Sequence, residues 1–92
     1  MNWIILTHQQ QLTELVEKSK QLPQLIFKHS TRCSISTVVK KRLENTTKSV
    51  SADYYYLDLL QHRPISNKIA EIFQVHHESP QILLIQDGAC IY

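Results

Sequence analysis

Cys33 is the residue best placed in this chain to do chemistry. It follows the apolar run Leu25-Ile26-Phe27, which reads as a buried strand, and it opens a helical pattern running from about Cys33 to Asn45. The first N–H groups of a helix lack backbone partners and carry partial positive charge, so a sulfur placed there is stabilised as thiolate. Arg32 adds a neighbouring cation, and Lys28 and His29 stand at the end of the strand. The thiolate is the attacking species in thiol–disulfide exchange. Three residues on, where a dithiol enzyme would carry its second cysteine, stands Ser36. A helical turn returns Ser36 to the sulfur, where its hydroxyl can donate a hydrogen bond but cannot close a disulfide. A mixed disulfide at Cys33 must then be released by a thiol from elsewhere. At this point the plainer reading, a small buried residue at the base of a helix, stays open.

The other candidate residues carry weaker signals. Cys90 lies between Ala89 and Ile91 in a terminal strand and reads as a buried filler. His76-His77 with His29 or Cys33 lacks the spacing of a zinc site, so no metal is expected. Tyr54-Tyr55-Tyr56 has no basic residues interleaved and reads as a central strand rather than a surface for stacking bases. Lys40-Lys41-Arg42 reads as a solvated helix face, with a secondary role, together with Lys28 and Arg32, in attracting an anionic small thiol.

The elements that must position these residues follow from periodicity. Trp3–Leu6 is a short apolar segment. Thr7 and Gln10 have the spacing of a capping box before a helix over Gln9–Lys20, with Leu12, Leu15 and Val16 on one face. Gln24–His29 is apolar on both faces, as a strand covered on both sides would be. The 33–45 helix presents Ile35, Val38, Val39 and Leu43. Asp53–Leu60 is a tyrosine-rich strand. A third helix starts at Ser66 with Ile69, Ile72 and Phe73 on one face. Pro80 ends anything helical before the strand Gln81–Gln86, and Asp87-Gly88 turns the chain into a returning strand over 89–92. The order β-α-β-α-β-α-β-β predicts an α/β sandwich, parallel in its crossovers and closed by a hairpin.

Composition bounds the partners. With 92 residues, 42% hydrophobic and 20% charged, the chain is expected to form one domain over 1–92 with a single core. A net charge of +2 does not indicate a nucleic-acid binder. No apolar run is long enough for a membrane span, and Trp3–Leu6 is too short for a signal peptide. A cytoplasmic protein without nucleic-acid or membrane partners is expected. Two widely separated cysteines do not suggest a disulfide scaffold.

Pro80 adds a second clue. Cis X–Pro bonds make up about 5–6% of X–Pro bonds in folded proteins and serve as specific turn devices. A cysteine after one parallel strand and Ser79-Pro80 before a later one together resemble the thioredoxin arrangement. There a cis proline faces the cysteine, and the backbone of the preceding residue pairs with an extended substrate. More specifically, Phe27-Lys28-His29-Ser30-Thr31-Arg32-Cys33-Ser34-Ile35-Ser36 resembles the signature of the YtxJ family of monothiol bacilliredoxins. His76-His77-Glu78-Ser79-Pro80-Gln81 is similar to that family's segment around its cis proline.

The resemblance runs from the first helix to the final hairpin. It implies a thioredoxin-like three-layer sandwich with a mixed sheet, a cytoplasmic location, and removal of bacillithiol from mixed disulfides on other proteins. Cys33 would be the nucleophile, with Thr31, Arg32, Ser36, Ser79 and Pro80 in support. No cofactor is implied beyond bacillithiol as co-substrate. The partners would be bacillithiolated proteins and a small thiol. Holding an iron–sulfur cluster, as some monothiol glutaredoxins do, goes with a different motif around the cysteine. Two departures stand out. Ser34 occupies the place after the cysteine where the family commonly has proline, leaving an N–H that could solvate the sulfur. The chain also stops at Tyr92, before the family's last helix, so that helix is expected to be absent or its sheet face covered by a partner, with a homodimer as the simplest form. The rival to an oxidoreductase is a redox-sensing or thiol-binding module, modified at Cys33 without turnover.

Overall fold

The structure is a computed structural model, and it describes residues 3–29, 52–78 and 80–91. Seven elements lie in these residues: β1 (Trp3–Ile5), α1 (Gln10–Lys18), β2 (Gln24–His29), β3 (Asp53–Asp58), α2 (Arg63–Phe73), β4 (Gln81–Gln86) and β5 (Ala89–Cys90). The strands form one five-stranded sheet in the order β1-β3-β2-β4-β5. β3 runs parallel to β1 and to β2, whereas β4 runs antiparallel to β2 and to β5. This is the mixed sheet expected, with β2 at its centre. The helix expected over 33–45 lies outside the described residues.

Every residue of β2 is buried, as its two-sided apolar pattern requires. Alternation sends successive side chains to opposite faces. Ile26, Tyr55, Leu57, Leu83 and Ile85 face one core, which α1 closes with Leu12 and Leu15 and α2 closes with Ile65, Ile69 and Phe73. Leu25, Phe27 and Tyr54 face the other way, against Trp3, Tyr56, Ile82 and Leu84. The apolar stripe of α2 repeats every fourth residue, so Ile72 falls off it and is exposed, contrary to the expectation that placed it beside Ile69 and Phe73.

Two helix starts differ from the expected ones for identifiable reasons. At α1 it is Gln11, not Gln10, that reaches back. Its Oε1 accepts from the Thr7 and His8 N–H groups at 2.8 and 3.0 Å, and its Nε2 donates to the Ile5 carbonyl at 3.0 Å. One side chain thus ties the end of β1 to the start of the helix. α2 begins at Arg63, three residues before Ser66, with Pro64 in its first turn. Proline there has no N–H to waste and a preset φ. Gln74 ends this helix in the left-handed region, at φ 52°.

The closing hairpin has the expected turn. Asp87 and Gly88 take φ values of 56° and 80°, the pair of positive values that a two-residue hairpin needs. The turn is anchored by Ser19 just past α1. The Ser19 carbonyl accepts from the Asp87 N–H at 2.9 Å, and Ser19 Oγ accepts from the Gly88 N–H at 2.8 Å while donating to the Val16 carbonyl at 2.6 Å. Ser19 is almost wholly buried, so removing its hydroxyl leaves the half-buried Gly88 N–H without that partner. Ser19→Ala is expected to lower unfolding free energy by about 1–3 kcal/mol, read from urea denaturation midpoints at unchanged slope.

Candidate active site

The register of β2 against β4 defines the functional end of the sheet. Lys28 pairs with Gln81, so the next residue along β2 is His29 and the preceding residue on the β4 side is Pro80. The chain therefore leaves the sheet toward Cys33 at the same end at which Pro80, half-buried, leads into β4. Thr31, Arg32, Cys33, Ser34, Ser36 and Ser79 lie outside the described residues, as does the Ser79–Pro80 bond whose cis form the resemblance implies. His29 is buried against aromatic rings, with centroids 5.5 Å from Phe27 and 5.1 Å from Tyr56. Beside Pro80 opens a depression of about 330 Å³ whose walls include Val75, Glu78, Ile82, Leu83 and Cys90.

Directly under this end sits a cationic cluster. Lys28 has no exposed surface. Its Nζ donates to the Ser66 carbonyl at 3.2 Å and lies 3.3 Å from His77 Nδ1. Ser66 Oγ is 3.2 Å from the same nitrogen, and Arg63 Nη1 is 3.4 Å from His77 Nε2. Desolvation, reinforced by the Arg63 charge, pushes the Lys28 amine down to about 8. Burial, then the charges of Lys28, Arg63 and His76, push the His77 imidazole below its ordinary value. From the opposite side Gln81 holds the same loop, donating from Nε2 to the His76 carbonyl at 2.8 Å and accepting from the Glu78 N–H at 3.4 Å. The segment running into Pro80 is thus tied down on both sides.

The family model for the monothiol bacilliredoxin BrxC matches residues 4–92. This chain belongs to the monothiol bacilliredoxin family. Among solved structures, it is similar to a protein described as having a thioredoxin fold and provisionally as an oxidoreductase, at TM-score 0.85 and 28% identity over 98% of this chain and 79% of that one. Thioredoxin from Fasciola hepatica matches at TM-score 0.76 and 17% identity, covering 96% of this chain and 81% of its own. Thioredoxin from Schistosoma mansoni matches at 0.78 and 15%, covering 99% and 80%. The fold is thioredoxin-like, and the chemistry of this bacilliredoxin is thiol redox chemistry. Among the described residues no helix is long and apolar enough to cross a membrane.

Two sequence readings change with the structure of this family member. Lys28 is not available to attract an anionic thiol from solution, because its amine is turned into the core and bonded to Ser66 and His77. His77, a weak metal candidate in the sequence and part of the segment leading to Pro80, is a partner of that lysine. Cys90 pairs with Ile85, which pairs with Gln24. It packs half-buried against the first core and forms part of the wall of the depression beside Pro80. Ser66, Arg63 and His77 form a group around Lys28 that no spacing in the sequence marks. The signal was present in Lys28, since a lysine inside a strand buried on both faces needs polar partners from elsewhere in the fold.

The Lys28 shift has a definite sign. Between about pH 8 and 10.5 the unfolded chain holds a proton that the folded protein gives up, so stability rises with pH across that window. Relative to Lys28→Met, the wild type is expected to gain about 3 kcal/mol of unfolding free energy between about pH 7 and pH 10.5, measured by denaturant titration of both proteins. The Tyr55 and Tyr56 phenols, which burial raises, are common to both proteins and cancel in the difference.

Proposed function

We propose that this protein is a monothiol oxidoreductase that removes bacillithiol from mixed disulfides on cytosolic proteins. In the first step the Cys33 thiolate attacks the bacillithiol sulfur of the substrate. A disulfide forms between Cys33 and bacillithiol, the substrate S–S bond breaks, and the protein thiolate leaves and takes up a proton from water. A second small thiol then attacks the Cys33 adduct, releasing the enzyme thiolate and carrying bacillithiol away as a low-molecular-weight disulfide. The Cys33 sulfur is oxidised in the first step and reduced in the second.

The observation that carries this reading is the family match across residues 4–92, a span that includes Cys33, and the sequence has serine, not cysteine, at position 36. The β2–β4 register supports it, since four residues of chain reach at most about 14 Å from the strand end beside Pro80. On this reading Arg32 and the helix start expected at Cys33 favour the thiolate. Thr31 and Ser36 flank the sulfur, while Ser79 and Pro80 align an extended substrate. The partners are bacillithiolated proteins and the resetting small thiol.

Incubation of the protein with a bacillithiolated test protein and excess reduced small thiol is expected to release bacillithiol over many turnovers. Cys33→Ser should reduce that release to the uncatalysed background, while Cys90→Ser retains it. Uptake of one adduct per chain with no further release would overturn the proposal in favour of a sensor.

The thiolate can be tested separately. Alkylation of Cys33 by iodoacetamide near neutral pH is expected to run about tenfold or more faster than alkylation of a free cysteine peptide. Equal rates would remove the acidified thiol.

A further inference from the structure

A buried ammonium that lowers stability at neutral pH is seldom held in place for the sake of the fold. Here it lies where β2, α2 and the loop into Pro80 meet. The hydrogen-bond inventory restricts its proton. An ammonium can only donate, a guanidinium can only donate, and a neutral imidazole carries one N–H. If Lys28 is charged, His77 Nδ1 must accept from it, leaving Nε2 with the hydrogen and no bond from Arg63. If Lys28 is neutral, Nδ1–H can donate to the amine while Nε2 accepts from Arg63. The state with both groups protonated sets donor against donor across 3.3 Å. Either way a single hydrogen lies between the two facing nitrogens, and the couple carries at most one positive charge.

We propose that Lys28 and His77 are positioning residues: one proton shared between their facing nitrogens ties the end of β2 to the segment carrying Pro80, and so sets how a protein-bound mixed disulfide is presented to Cys33. The inference rests on the thiol-exchange reading above. The couple acts through Pro80, three residues beyond His77, and not through contact with the reacting sulfurs.

The groups around the couple are few among the described residues. Arg63 and Ser66 come from α2, and Arg63 lowers the proton affinity of both members. His76 comes from the loop and acts on His77 in the same direction. Gln81 of β4 is neutral. His29, next on β2, has its ring on the opposite face with Phe27 and Tyr56. Asp58, at the end of β3, accepts from the Leu60 N–H. Loss of the couple's positive charge keeps one hydrogen between the facing nitrogens and frees Nε2 to accept from Arg63, so the segment into Pro80 is then held from α2 as well as from β2.

The experiment compares two rates on the same protein in a Cys90→Ser background, from about pH 6.5 to about 9.5. One rate is alkylation of Cys33 by iodoacetamide, which needs no groove. The other is bacillithiol release from a bacillithiolated test protein, which does. At neutral pH Lys28→Met is expected to slow release by about tenfold, with alkylation within about twofold of wild type. The ratio of release to alkylation should rise in wild type as pH rises past about 8 and stay level in Lys28→Met. His77→Leu should behave like Lys28→Met, with partial recovery in His77→Gln, whose amide oxygen can accept from the amine; these two variants carry the test if Lys28→Met does not fold. Equal loss in both rates, or a wild-type ratio level with pH, overturns the proposal. If wild type is alkylated at Cys33 yet releases no bacillithiol, it is the exchange reading that fails. The couple is then decided by the ¹⁵N shifts of the His77 ring, whose titration must move up toward the ordinary histidine range in Lys28→Met. An unmoved titration overturns it.

Discussion

The pairing of β2 on both of its edges constrains everything at the thiol end of this protein. A central strand with parallel β3 on one side and antiparallel β4 on the other has no freedom to slip, because a shift of one residue would turn Ile26 and Phe27 onto the wrong faces. That register fixes Lys28 opposite Gln81 and brings Pro80 to the point where the chain departs toward Cys33. The loop between α2 and β4 inherits its position from the same pairing.

Burial on both faces is what makes Lys28 unusual. On an exposed strand its ammonium would extend into water and contribute little. Inside this sheet it must find acceptors, and it finds a helix carbonyl from Ser66 and an imidazole from His77. A carbonyl and an imidazole do not neutralise an ammonium as a carboxylate would, which is why desolvation wins and the amine loses its proton easily. The cost is borne at neutral pH, in a part of the fold where an apolar side chain would pack more cheaply. Monothiol chemistry gives a reason for tying down this end. With serine at position 36, no thiol stands one helical turn from Cys33 to release a badly aligned adduct, which puts more weight on substrate alignment.

The opposite end of the sheet works by different means. There the hairpin turn at Asp87-Gly88 is bonded to Ser19 at the close of α1, using neutral hydrogen bonds around a small buried hydroxyl. No charge is buried in that anchor, and Cys90 nearby packs as an apolar group against the first core. The hairpin is thus anchored by neutral bonds, whereas the thiol end of β2 is tied by the Lys28–His77 couple.

Much of this was legible from residue order. The bounds of β2 and β4, the hairpin at Asp87-Gly88 and the family motifs around Cys33 and Pro80 could all be read locally, because strand burial, turn dihedrals and short motifs depend on neighbours in sequence. Helix starts were read less well, since Gln10 and Gln11 are chemically alike and only the path of the chain selects which reaches back to Thr7. What no local pattern could decide was the partnership of Lys28 with His77, Ser66 and Arg63. Those residues are separated by 38 to 49 positions along the chain from the lysine for Ser66 and His77, and hydrogen bonding between them exists only once the sheet has closed. The sequence alone determined a thioredoxin-like bacilliredoxin with one candidate nucleophile. Tertiary structure alone decided that Lys28, within the motif around that cysteine, faces inward, because only packing sets which polar groups share a buried volume.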